Sequence, residues 1–130
     1  MCPELRKSLI KVAEEMKISY HKTGTYVCIE GPRFSTKAES RMFRSWGADV
    51  VGMTLVPECV LAREAEMCYA SIATVTDYDV WKDHPVSAGE VAGTMRENVE
   101  KVKNLIIETT TRIPTERTCE CKDALKNAAV

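Results

Sequence analysis

The sequence predicts an α/β fold, a mixed and largely parallel sheet flanked by helices, in a single piece covering residues 1–130. Three observations carry this. Short β-branched runs alternate with amphipathic helical stretches, the order that builds parallel sheets. The apolar content is 45%, enough to support a core. One run, Met67 to Val75, is apolar almost throughout, as expected of a strand covered on both faces.

The elements follow in order. From Pro3 to Lys17, Leu5, Leu9, Val12, Ala13 and Met16 fall at helical spacing, with Lys and Glu on the other face. Thr25 to Ile29 clusters β-branched and aromatic residues and reads as a strand. Glu30-Gly31-Pro32-Arg33-Phe34 breaks it. Ser35 or Thr36 can cap the next helix, and Glu39 stands three residues after Thr36, the spacing of a capping box. Gly47 ends that helix. Asp49 to Thr54 reads as a short buried strand, and Pro57 suits the start of a helix through Cys59, Val60, Leu61 and Ala65. After the Met67–Val75 strand comes a polar cluster, Thr76-Asp77-Tyr78-Asp79, then a loop over 81–87. A long amphipathic helix is expected from Ala88 to Thr109, and a tail helix over 112–130.

Charge and composition exclude several classes. Eighteen basic residues against nineteen acidic give a net charge of −1, without the basic excess of a nucleic-acid binder. The same balance gives no electrostatic attraction to an anionic membrane. No apolar run approaches the length of a membrane span. The N-terminal stretch is too charged for a signal peptide. The expectation is a cytoplasmic globular piece.

Six cysteines, Cys2, Cys28, Cys59, Cys68, Cys119 and Cys121, are unusual in such a chain. They contain no C-x-x-C pair, and neither His21 nor His84 lies near a cysteine pair, so local spacing gives no zinc set and no metal is expected. Cys28, Cys59 and Cys68 sit among apolar residues and read as inert buried thiols. Cys119 and Cys121 form a C-x-C pair in a polar tail, which core packing does not explain.

Ligands of parallel sheets sit at the C-terminal ends of strands. Two segments occupy such ends: Gly52-Met53-Thr54 and Thr76-Asp77-Tyr78-Asp79. Asp77 and Asp79 are a turn or capping pair in one reading. In the other, a partly desolvated carboxylate hydrogen-bonds or protonates a ligand nitrogen. Thr54 is either an N-cap or a hydroxyl donor to an anion at a helix start. Phe34 either stacks on a planar ligand or covers the core. There is no glycine-rich phosphate loop and no legible nucleophile–base set.

Four ordered segments carry a resemblance: Glu30 to Ser40, Trp46 to Thr54, Val56-Pro57-Glu58, and Thr76 to Asp79. Together they resemble the purine nucleoside phosphorylases of the trimeric type, and among them the branch acting on 5′-methylthioadenosine. The resemblance runs from Cys2 to about Asn104 and covers the C-terminal half of the family chain only. The glycine-rich loop and the Arg-His pair of the family's phosphate clamp belong to the other half.

The resemblance implies phosphorolysis of 5′-methylthioadenosine to adenine and 5-methylthioribose 1-phosphate, with inorganic phosphate as co-substrate and no metal or organic cofactor. This chain would supply the purine- and ribose-binding half. The alternative is a non-catalytic fragment or assembly module that keeps the purine pocket. By resemblance, Asp77 is the catalytic residue, bonding purine N7 and supplying a proton. Asp79 receives the 6-amino group, and Phe34 lies along the purine face. Met53 packs on the ribose, Thr54 donates to phosphate, and Val91, with Ala88, flanks the methylthio group. Ser35 with the aspartate pair favours a 6-amino purine, because an ionised carboxylate accepts from an amino group and mismatches a 6-oxo group. The expected partners are a nucleoside substrate and further copies of the chain in a homotrimer or hexamer, with no nucleic acid and no membrane. Thermophilic relatives ending in C-x-C imply a hyperthermophilic source and disulfides Cys119–Cys121 and, as a weaker pair, Cys2–Cys68.

Overall fold

A computed structural model describes residues 1–79 and 87–128. Its helices are α1 (Pro3–Glu15), α2 (Lys37–Ser45), α3 (Glu58–Glu64) and α4 (Ala88–Thr110), with strands β1 (Tyr26–Cys28) and β2 (Val50–Gly52). The chain forms two compact units. The first comprises Met1–Tyr20, Leu55–Ile72 and Val102–Val130, and the second His21–Thr54 and Ala73–Lys101.

The first unit is built on the apolar stripe of α1. Val12 and Ala13 pack with Leu105 of α4, and Leu9, Ile18, Tyr20 and Ile72 close around them. Burying a Val or Leu side chain contributes about 1.5–3 kcal/mol relative to exposure. Arg112 bridges Glu15 of α1 and Glu108 of α4. Much apolar surface stays open: Leu61 is 57% exposed and Met67 59%.

The second unit holds the sheet. β1 and β2 pair in parallel, with Tyr26 opposite Val50, Val27 opposite Val51 and Cys28 opposite Gly52. Asp49 fixes that register from below, its Oδ2 accepting from the Thr25 amide at 2.7 Å. A Cβ at Gly52 would lie 2.6 Å from Tyr26 Cζ, so glycine lets the tyrosine ring lie over the strand. The capping box expected at Thr36 is formed in full: the Glu39 amide donates to Thr36 Oγ1, and Glu39 Oε2 accepts from the Thr36 amide. Trp46 stands 67% exposed at the end of α2.

Two expectations differ from the structure. Met67 to Val75 forms no strand. A strand needs a neighbouring ladder, and the backbone bonds of this segment go elsewhere: the Met67 amide to the Ala62 carbonyl at 2.8 Å and the Tyr69 carbonyl to the Cys2 amide at 2.7 Å. Among the described residues, the tail makes a short 3₁₀ turn, Glu120–Asp123, where the sequence predicts a helix over 112–130. Its amides and side chains bond other segments instead: the Thr118 amide and hydroxyl to Glu4, and the Leu125 amide to Glu66 Oε1. The loop expected over 81–87 lies outside the described residues apart from Ser87.

Candidate active site

The parallel pairing sets both strand ends of the second unit at one edge. The Ile29 amide continues the ladder to the Gly52 carbonyl at 2.9 Å, so Glu30-Gly31 and Met53-Thr54 leave the sheet side by side. Gly31 adopts φ +67°, and a Cβ there would meet Met53 Sδ at 2.6 Å. Glycine therefore serves twice, allowing the left-handed turn and letting the Met53 thioether lie against the backbone. Met53 is half-buried and Thr54 is exposed.

Two aspartates and three hydroxyls form one network. Ser35 Oγ donates to Asp79 Oδ1 at 2.5 Å, and Ser40 Oγ donates to Asp79 Oδ2 at 2.5 Å. The Asp79 amide donates to Asp77 Oδ1 at 2.7 Å, and Thr76 Oγ1 donates to Asp77 Oδ2 at 2.7 Å. Ser35 and Ser40 are buried, and the two aspartates are half-buried. Asp79 sits at φ 54°, a left-handed conformation that aspartate tolerates better than most residues. The turn reading of the aspartate pair is met: Asp77 closes an Asx-type turn on the Asp79 amide, and the turn holds both carboxylates in fixed directions.

The chain entering this network is fixed by charge. Arg33 grips Glu39 with two bonds, Nη1 to Oε2 at 2.8 Å and Nη2 to Oε1 at 2.6 Å. Arg33 Nη1 also donates to the Phe34 carbonyl at 3.1 Å. The Arg33 guanidinium and the Thr36 donors hold the Glu39 carboxyl well below its ordinary value, to about 2. Phe34, the residue between these bonds, is 46% exposed, an aromatic face open to solvent.

Val91 lies in the first turn of α4, its amide donating to the Ser87 carbonyl at 3.2 Å. Ser87 and Glu90 form a second capping box: the Glu90 amide donates to Ser87 Oγ, and the Ser87 amide donates to Glu90 Oε2 at 3.4 Å. Val91 is half-buried and Ala88 exposed. The structure thus ties Ser35, Asp77 and Asp79 together directly and sets Met53 against the Gly31 turn.

The cysteines of the first unit depart from expectation. All six are free thiols, so neither Cys119–Cys121 nor Cys2–Cys68 is a disulfide in the structure. Cys119 Sγ instead lies 3.4 Å from Cys68 Sγ and 3.7 Å from Cys2 Sγ, beyond the ~2.05 Å of a sulfur–sulfur bond. With Cys121 they form a cluster whose four sulfurs lie within 4.8 Å of one another. Burial, reinforced by hydrogen bonds among the thiols, pushes Cys68 up to about 12 and raises Cys121. Sequence spacing does not reveal this cluster because it is assembled from three distant segments.

Comparison with known proteins gives a consistent picture. The sequence profile of the phosphorylase superfamily matches residues 1–111. S-methyl-5′-thioadenosine phosphorylase of Pyrococcus horikoshii is 60% identical over 129 residues, 99% of this chain and 50% of the relative. The protein of that name from Nitrosopumilus maritimus is 58% identical over 127 residues, 98% of this chain and 48% of its own. Among solved structures, a methylthioadenosine phosphorylase from an Antarctic soil metagenomic library superposes with TM-score 0.88 at 39% identity, covering all of this chain and 47% of that one. A double mutant of the Schistosoma mansoni adenosine/methylthioadenosine phosphorylase, in complex with adenine, superposes with TM-score 0.86 at 38% identity, covering 97% of this chain and 51% of that one. The chain spans about half the length of the curated relatives it matches.

Proposed function

The chain belongs to the phosphorylase superfamily, and from that premise we propose that it supplies the purine- and ribose-binding half of an enzyme cleaving 5′-methylthioadenosine with phosphate. The products are adenine and 5-methylthioribose 1-phosphate. The observation that carries this is the network in which Ser35 and Ser40 aim Asp79, and the Asp79 amide and Thr76 aim Asp77.

The chemistry follows from the donor and acceptor inventory. As the glycosidic bond breaks, negative charge runs into the purine, and a proton delivered at N7 makes it a leaving group. In this reading Asp77 hydrogen-bonds N7 and passes it that proton. Each Asp79 oxygen takes one hydroxyl donor and keeps a lone pair for the 6-amino group of adenine. A 6-oxo purine would bring an acceptor to an acceptor and be rejected. Phe34 offers an aromatic face to the base, Met53 its thioether to the ribose, Thr54 its hydroxyl to phosphate, and Val91 an apolar side chain to the methylthio group.

Exposed apolar side chains, Trp46 and Leu61 among them, suit burial against further protein, and we assign them to assembly as a homotrimer or hexamer. A second reading is a purine-binding module without turnover of its own. Substrate ranking tests the first: a complete enzyme containing this half turns over methylthioadenosine faster than inosine. Equal or better turnover of inosine would overturn it.

A further inference from the structure

The four-thiol cluster of the first unit has no part in the purine chemistry above. Cys2 precedes α1, Cys68 follows α3, and Cys119 and Cys121 flank the start of the tail turn. Three sets of bonds hold these segments at one place. The Cys2 amide donates to the Tyr69 carbonyl at 2.7 Å, next to Cys68. The Thr118 amide donates to Glu4 Oε1 at 3.1 Å, bringing Cys119 to the start of α1. Arg117 Nη1 and the Leu125 amide bond Glu66 on either side of the C-x-C pair, at 2.9 and 3.1 Å. Cys2 and Cys119 are buried, and Cys68 and Cys121 half-buried.

We propose that Cys2, Cys68, Cys119 and Cys121 form a four-thiolate site for a divalent zinc ion. Four sulfurs at a Zn–S distance of about 2.3 Å lie about 3.8 Å apart at the corners of a tetrahedron. The cluster already has that scale, with two separations of 3.4 and 3.7 Å and none above 4.8 Å. Thiolate is the soft ligand that suits zinc, and a closed set of four protein ligands is the pattern of a structural site. Binding releases one proton from each thiol: four Cys–SH and Zn²⁺ give a zinc tetrathiolate of charge −2 and four H⁺. Cys2 stands at the N-terminus of the 13-residue α1, whose amide dipole offsets negative charge. The ion would clamp the N-terminal helix, the segment after α3 and the tail into one piece, in a unit whose core is small.

The test uses the whole chain, expressed with zinc and purified anaerobically without chelator. Elemental analysis should find about one zinc per chain. Replacing zinc with cobalt should give sulfur-to-cobalt charge transfer and the visible bands of tetrahedral Co²⁺. Cys68→Ser and Cys119→Ser should each cut cobalt affinity at least 10-fold and weaken those bands, while Cys59→Ser, outside the cluster, leaves both unchanged. The measurements on the unmutated chain stand even if a variant fails to fold. Less than 0.1 zinc per chain with the thiols free, octahedral cobalt bands, or isolation of these cysteines as two disulfides under anaerobic conditions would each overturn the proposal.

Discussion

The hydroxyl of Ser40 donates to Asp79 Oδ2 at 2.5 Å, joining the first turn of α2 to a residue 39 positions further along the chain. Ser35 does the same at Asp79 Oδ1. A carboxylate gripped by two buried hydroxyls is fixed in orientation before any ligand arrives, which is the preorganisation a base-recognition group needs. Removing one hydroxyl should therefore act on binding before it acts on folding. Ser40→Ala is expected to weaken adenine binding several-fold while costing about 1 kcal/mol of stability. Calorimetric titration with adenine, alongside urea unfolding, checks both numbers. Unchanged affinity with an intact fold would show that Asp79 needs no such support.

Asp77→Asn replaces an acceptor with a group that both accepts and donates. In an enzyme completed by its other half, the ratio of kcat/KM for methylthioadenosine over inosine should fall, because an amide can donate to O6. The Asp79 amide can still donate to the amide oxygen, and the Thr76 hydroxyl can rotate to accept from the new NH2, so folding should be preserved. A ratio that stays the same would remove Asp77 from base discrimination.

How much of this was legible in the sequence depended on range. The Thr36–Glu39 capping box depends on residues three apart, and its spacing alone announced it. The Ser87–Glu90 box has the same spacing, but the loop composition before it masks the helix start. Asp77 and Asp79 stood out as polar residues after an apolar run. Ser40 did not: it is a polar residue on a helix full of polar residues, and only its tertiary partner marks it. Met67 to Val75 has the composition of a strand, but strand formation is a property of pairs, and composition describes one partner. The cysteine cluster fails to show for the same reason, since its four sulfurs come from three segments.

Acid should loosen the entry to the site. Glu39 titrates near 2 in the folded chain, depressed by Arg33, against about 4.3 when unfolded. A depressed carboxyl contributes stability that is complete above the unfolded value and is lost as pH falls toward the folded one. The Arg33–Glu39 clamp should thus hold at neutral pH and weaken between about pH 4 and 2. NMR titration of the Glu39 carboxyl measures this directly, and Glu39→Gln should abolish that part of the pH dependence. A Glu39 titration midpoint above 4 would contradict it.

Gly52→Ala places a methyl group against the ring of Tyr26. Overpacking of this kind costs about 1–3 kcal/mol. Urea unfolding should show that loss, and combining it with Tyr26→Ala should recover part of it, since the clash is with that ring. Additive losses in the double variant would mean that the two positions do not press on each other.

The central claim is that this chain is the base-recognition half of a phosphorolytic enzyme. It is tested most directly by adenine release from methylthioadenosine, measured with the pure chain and with the chain refolded beside the N-terminal half of a full-length relative, each with and without phosphate. Positioning both reactants lowers a barrier by roughly 7–11 kcal/mol at best, and a site holding one reactant forfeits most of that. The account predicts negligible release by the chain alone and phosphate-dependent release by the reconstituted pair, lost again in Asp77→Ala. Phosphate-dependent turnover by the pure 130-residue chain, or none by a pair shown to assemble, would contradict it.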